Sequence, residues 1–142
     1  MKHFLLSVPA SVVFLGACTA APEQPTAGAA LPACGSFPNC VSSQAGDDAQ
    51  AVAPITATRS QWRALIERVA EQPDWELVQI QNDFLQATVR TPLMEYTDDV
   101  QMQYDPESQL IQVRSSSRLG YGDMGANRDR VEELRALVAT LR

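Results

Sequence analysis

From Ser60 onward, apolar residues recur at helical spacing: Trp62, Leu65, Ile66, Val69 and Ala70 fall at i, i+3, i+4, i+7 and i+8. This is one face of an amphipathic helix, capped by Thr58 or Ser60, with Pro73 beyond its end. After Pro73 the period changes to two. Alternation covers Trp75 to Gln81, Phe84 to Arg90, Tyr96 to Tyr104 and Gln109 to Ser115, with Asn82-Asp83 and Asp105-Pro106-Glu107-Ser108 as turns. Turns this short favour antiparallel neighbours. A last stripe of Val131, Leu134, Leu137, Val138 and Leu141 predicts a second helix over Asn127 to Leu141, with Asn127 as its cap. The pattern therefore predicts an α+β fold: a four-stranded antiparallel sheet with two amphipathic helices packed on one face, because neither helix can bury its stripe alone.

The same alternation sorts side chains by face. Leu85, Ala87 and Val89 point towards the helices, as do Ile111, Val113 and Ser115, while Gln86, Thr88, Arg90, Gln112 and Arg114 point away. In the third strand Tyr96, Asp98, Val100, Met102 and Tyr104 share the core side, and Thr97, Asp99, Gln101 and Gln103 the polar side. Arg90, Asp99 and Arg114 are thus expected together on the polar face, with Asp98 and Ser115 on the core side near the end of the sheet.

Upstream of the periodic region the chain reads as address and tether. Lys2 and His3 precede an apolar stretch from Phe4 to Phe14, and Leu15-Gly16-Ala17-Cys18 resembles a bacterial lipobox. The stretch is too short to span a bilayer as a finished helix, and Pro9 spoils a core helix. The expectation is a lipoprotein signal over residues 1–17, cleaved before Cys18, whose sulfur and amine then carry two or three acyl chains. Each buried CH₂ contributes roughly 0.8 kcal/mol, so such an anchor is stable where one chain is not. Thr19, rather than Asp, follows the cysteine, which implies the outer membrane, facing the periplasm. Residues 18–33 are rich in Ala, Pro, Thr and Gly, cannot bury enough surface to fold, and are expected to be a flexible tether. That leaves residues 34–142 for a single α+β domain.

Charge and inventory narrow the chemistry. The chain carries 11 basic and 17 acidic side chains, a formal charge of −6, and loss of Lys2 with the signal makes it more negative by one. An acidic surface argues against nucleic acid as a partner. Once Cys18 is lipidated, Cys34 and Cys40 remain, six positions apart in an exported chain, and a disulfide is the natural reading. So short a loop contributes on the order of 2 kcal/mol. The competing metal site fails on ligands, because two thiols do not complete a tetrahedral zinc shell and the single histidine, His3, leaves with the signal. No CxxC spacing supports redox activity. No cofactor is expected, and a Ser-His-Asp or Cys-His nucleophile is excluded for want of histidine.

Two features remain for function. Asp98, a carboxylate directed into a core, costs several kcal/mol unless paired or hydrogen-bonded. Either it accepts bonds from loop amides, Ser117 or Arg118, or it belongs to a site, a calcium site with Asp123 included, although no EF-hand spacing supports that. The stretch from Arg114 to Arg128, RSSSRLGYGDMGANR, combines arginines that fork carboxylate or phosphate with hydroxyls and glycines that free the backbone. It lacks the GK[ST] of a Walker loop and the GxGxxG pattern. The candidate ligand-binding set is Arg90, Asp98, Asp99, Arg114, Ser115, Ser117, Arg118, Asp123, Asn127 and Arg128.

These residues resemble the family catalogued as domain of unknown function 1499. The resemblance rests on a PNCVSS box at Pro38 to Ser43 with Cys34 ahead of it, on Arg90 before a DDV box at Asp98 to Val100, and on an RSxSRxGxxDxGxNRxR run over Arg114 to Arg130. Gly35 stands where Pro is common, and Pro92 to Glu95 replace a more aromatic link. The resemblance implies a residue set without an established activity. The expected function is a membrane-tethered binding or scaffolding module for a small anionic ligand or another envelope protein. The alternatives are a hydrolase using a serine without histidine, or carboxylates, and a purely structural envelope protein.

Overall fold

Thr58 starts the first helix as its sequence demands. Its hydroxyl accepts from the Gln61 backbone amide, and the Gln61 side chain accepts from the Thr58 amide, a reciprocal capping box. The computed structural model describes residues 30–142. The predicted signal, Cys18 and residues 19–29 of the predicted tether lie outside the described residues. In chain order the elements are β1 (Cys40–Ser42), β2 (Ile55–Thr56), α1 (Arg59–Ala70), β3 (Trp75–Gln81), β4 (Phe84–Arg90), β5 (Thr97–Asp105), β6 (Leu110–Ser117) and α2 (Ala126–Thr140).

The fold is α+β, with two helices and a sheet in the order β1-β6-β5-β4-β3, and β2 pairs with β6 as well. The sheet has six strands rather than the expected four. The β1 and β2 segments are too short to show alternation, and all three residues of β1 are buried. Both are held by β6, in the registers Val41↔Ser115 and Ile55↔Ile111. Every strand pairing is antiparallel, apart from an isolated parallel bridge between Ser42 and Ala51. The expected disulfide joins Cys34 to Cys40, the first residue of β1. Leu31, inside the predicted tether, is buried and donates its amide to the Gln44 Oε1 at 2.8 Å.

Both helices lie on the side of Leu85, Ala87, Val100, Met102 and Val113. Trp62, Leu65 and Val69 of α1 and Val131, Leu134 and Val138 of α2 complete that core, and Trp62 stacks on Tyr104 with ring centroids 5.9 Å apart. Ala70, expected on the apolar face, is exposed at the end of α1. Among the described residues no helix is long and apolar enough to cross a membrane.

Two local departures from regularity position the polar residues. In β3 the register slips between Leu77 and Gln79, so that Val78 is an extra residue and Gln79 moves to the face opposite Leu77. At the other end of the sheet, Gly125 caps α2, correcting the expected cap at Asn127. Its φ of 89° lies in the left-handed region, which glycine adopts at no steric cost. The capping oxygens come from Asp123, which accepts from the Gly125 amide and from the Asn127 amide, both at 3.0 Å. The Asn127 side chain is thereby free for another task.

Candidate functional site

The ten candidate residues divide between the two faces of the sheet. On the helix side, Asp98 points inward as expected, but its partner is Arg130 of α2 rather than Ser117 or Arg118. Arg130 Nη2 donates to Asp98 Oδ2 at 2.7 Å, and its Nη1 donates to Ser115 Oγ at 2.9 Å and Asn127 Oδ1 at 2.7 Å. Ser115 Oγ donates in turn to Asn127 Oδ1 at 2.6 Å. Asn127 Nδ2 donates to Ser117 Oγ, to Asp123 Oδ2 and to the Asn39 carbonyl. This chain of bonds ties β5, β6, α2 and the segment before β1 together, and it is buried: Asp98, Ser115 and Asn127 are at most 1% exposed. Its geometry is that of a structural tie. The Ser115 and Ser117 hydroxyls meet Asn127 and Arg130 but no carboxylate that could act as a base. Asp98 and Asp123 are each engaged separately, and among the described residues no group of three or more His, Cys, Asp or Glu is placed to hold a metal ion.

Asp123 sets an acid sensitivity for this tie. Burial works to raise its pKa, but the backbone amides of Asn127 and Gly125 and the Asn127 side chain outweigh it and hold the carboxyl below its ordinary value. Its contribution to stability is therefore present above the ordinary carboxylate pKa of about 3.9 and is lost as pH falls through the lower folded value. Unfolding measured from pH 6 down to pH 2 should show a steeper loss for the native chain than for Asp123→Asn. Parallel curves would mean that the carboxylate carries no such linkage.

Arg128, which sequence placed in the site, instead ties the surface loop after β1: its guanidinium donates to the carbonyls of Ala49 and Ala51, both at 2.8 Å. Arg90 is exposed at the end of β4. Asn39 and Arg130 belong to the network although neither stood among the candidates. Arg130 had a signal: with Asn127, Val131, Leu134 and Val138 it lies on the buried stripe of α2, where a charge needs a partner.

The other face of the sheet carries the remaining candidates. Asp99 receives both arms of Arg118, Nε to Oδ2 at 2.7 Å and Nη2 to Oδ1 at 2.8 Å. The two adjacent aspartates thus serve opposite faces, as strand alternation requires. The bond to Asp99 raises the pKa of Arg118.

Arg114 is different. It is 8% exposed, and among the described residues no carboxylate lies within ion-pair distance of it. Its Nη1 donates to Ser116 Oγ at 2.8 Å and weakly to Gln101 Oε1 at 3.4 Å, while its Nε has no partner. Burial pushes its pKa down, only partly offset by the more distant charge of Asp99.

Arg114 stands in a row. Register places Ser42, Arg114, Gln101, Gln86 and Gln79 side by side across five strands on this face. Alternation assigned Gln86, Gln101 and Arg114 to a polar face, yet Gln86 and Gln101 are completely buried. Both amide atoms of Gln86, Gln101 Nε2 and Gln79 Oε1 lack hydrogen-bond partners. Beside this row, two residues further along the strands, lies a cleft of about 620 Å³ whose lining includes Gln44, Gln81, Phe84, Gln103 and Gln112. None of the row's own residues lines this cleft, and Gln86 and Gln101 have no exposed surface.

The family model described as protein of unknown function, DUF1499, matches residues 30–138, which span both the network and the row. No curated protein and no solved structure matches the chain.

Proposed function

We propose, from the premise that this chain belongs to the DUF1499 family, that it is a lipid-tethered module of the bacterial envelope that binds an anionic ligand at Arg114. The observation that carries the reading is the buried Arg114 guanidinium, which among the described residues has no carboxylate partner and has an unused Nε. A buried cation is costly unless something neutralises it. Asp99, the nearest carboxylate to act on it, is already taken by both arms of Arg118. A ligand carboxylate or phosphate at the exposed part of the guanidinium would supply the missing charge. The lipobox supports the envelope as its place, and the absence of histidine from the chain after Cys18 supports binding over hydrolysis.

The site is separate from the Asp98–Arg130 tie, so the two can be tested apart. Acetate or phosphate should raise the melting temperature of the full chain in a concentration-dependent way, because a ligand at 100 times its Kd adds about 2.7 kcal/mol of apparent stability. Arg114→Gln should melt cooperatively and lose the effect. An undiminished shift in Arg114→Gln, or none in the native chain, overturns the reading.

A further inference from the structure

Resting on the lipid tether of that reading rather than on Arg114, we propose that one end of the sheet is a second membrane contact, where apolar loop tips seat the domain on the bilayer that holds its anchor. Of the nine large apolar side chains exposed among the described residues, seven stand at this end, where β4 leads to β5 and β6 leads to α2. Leu93, Met94 and Tyr96 occupy the first connection, and Leu119, Tyr121 and Met124 the second. Phe37 joins them from the segment before β1, its ring 5.5 Å from that of Tyr121. The two connections are neighbours: the Arg118 amide donates to the Thr97 carbonyl at 3.2 Å where both leave the sheet. The other two, Val78 and Ile80, lie on the edge strand β3.

Apolar side chains exposed singly are ordinary, but a cluster of them marks an interaction surface. The chemistry of this cluster suits a bilayer interface. Its side chains project from loop tips, with Leu93 91% exposed, and tyrosine rings pair an apolar body with a polar tip that sits at headgroup level. Segments 36–39, 91–96 and 118–125 carry only three charged side chains, Glu95, Arg118 and Asp123. Asp99 holds Arg118, and the amides of Gly125 and Asn127 bond Asp123, so Glu95 is the one that must stay in water. Around them charge is balanced: Arg90 and Asp74 meet at the strand ends, and Arg128 and Asp47 line the cleft beside Tyr121. The opposite end of the sheet differs. Its turns present Asp83, Asp105 and Glu107, with Arg59 on Asp83, and none of the exposed apolar side chains.

The anchor leaves the apolar end within reach of the bilayer. Ala30, the first described residue, lines the cleft at the level of Phe84, Gln103 and Gln112. Cys18 stands twelve residues upstream, a span of at most roughly 40 Å. From Gln103 along β5 to Thr97, beside the apolar end, is roughly 20 Å. A lipid on Cys18 can therefore lie level with either end of the sheet, and the side chains at the ends decide which one faces the bilayer. The apolar end gains by entering the interface, whereas the acidic end keeps to water.

Tryptophan substitutions at Leu93, Tyr121 and Glu107 of the full chain read the orientation in phosphatidylethanolamine vesicles that contain brominated phosphatidylcholine, whose bromine quenches indole in the acyl region. The emission added by Leu93→Trp and by Tyr121→Trp should be quenched at least twofold more than that added by Glu107→Trp, with the native chain as the background from Trp62 and Trp75. Equal quenching at the three positions, stronger quenching at Glu107→Trp, or none at all overturns the contact. Leu93→Trp emission that is blue-shifted but unquenched means that protein, a second copy included, covers this end, and overturns it too. The mass of the purified chain reports acylation of Cys18 separately. An acylated chain with equal quenching keeps the tether and loses the contact; an unacylated chain loses the tether, and the quenching still reads which end meets lipid.

Discussion

Arg130→Ala is expected to remove about 3–5 kcal/mol of stability, the cost of leaving a buried carboxylate unpaired. Asp98 is 1% exposed, and among the described residues Arg130 alone donates a hydrogen bond to its carboxylate; its second oxygen already lacks a partner. The same substitution strips Ser115 and Asn127 of a charged donor, loosening the join between β6 and α2. Domains of this size are stable by only about 5–15 kcal/mol, so the loss is a large share of the total. Urea unfolding of the native chain and the variant measures it. The double variant Asp98→Leu with Arg130→Met should recover most of the loss, since it replaces both charges by apolar groups of similar size. A single variant that loses less than about 1 kcal/mol, against the 3–5 expected for a broken buried pair, would deny the pair its structural role.

Gln86→Leu should act in the opposite direction, raising stability by roughly 1–3 kcal/mol, because an unsatisfied buried amide carries its full desolvation cost and leucine fills nearly the same volume without it. In thermal unfolding the change is about 4–8 °C per kcal/mol for a small domain. The site and the Asp98–Arg130 tie lie on opposite faces of the sheet and share no hydrogen-bond partner, so Gln86→Leu and Arg130→Ala should add within about 0.5 kcal/mol. A destabilised Gln86→Leu would show that this amide is satisfied in solution.

The contrast between the two arginines shows how far the chain could be read. Strand alternation placed Asp98 and Asp99 on opposite faces, and the structure gives each its own arginine. It could not say which arginine: Arg118 is 20 residues from Asp98 and Arg130 is 32, and either could reach a carboxylate at the end of the sheet. The stripe of α2 held the answer, because Arg130 sits among its buried residues. The slip at Val78 had no such signal. It is decided by pairing with β4, and it alone carries Gln79 into the row beside Gln86.

By itself the sequence determined the local elements, the two amphipathic helices, the four long strands, the Cys34–Cys40 bridge and the inward direction of Asp98, because each follows from a period, a cap or a spacing within a few residues. Tertiary structure alone decided that β1 and β2 join β6, that Asn127 serves a network while Gly125 caps the helix, and that Arg114, Gln101 and Gln86 align in a buried row with the part-buried Gln79 at its end. Those outcomes depend on register and burial between segments far apart in the chain. Alternation shows which side of a strand a glutamine takes, but only the assembled sheet determines which strands stand beside it and whether water reaches it.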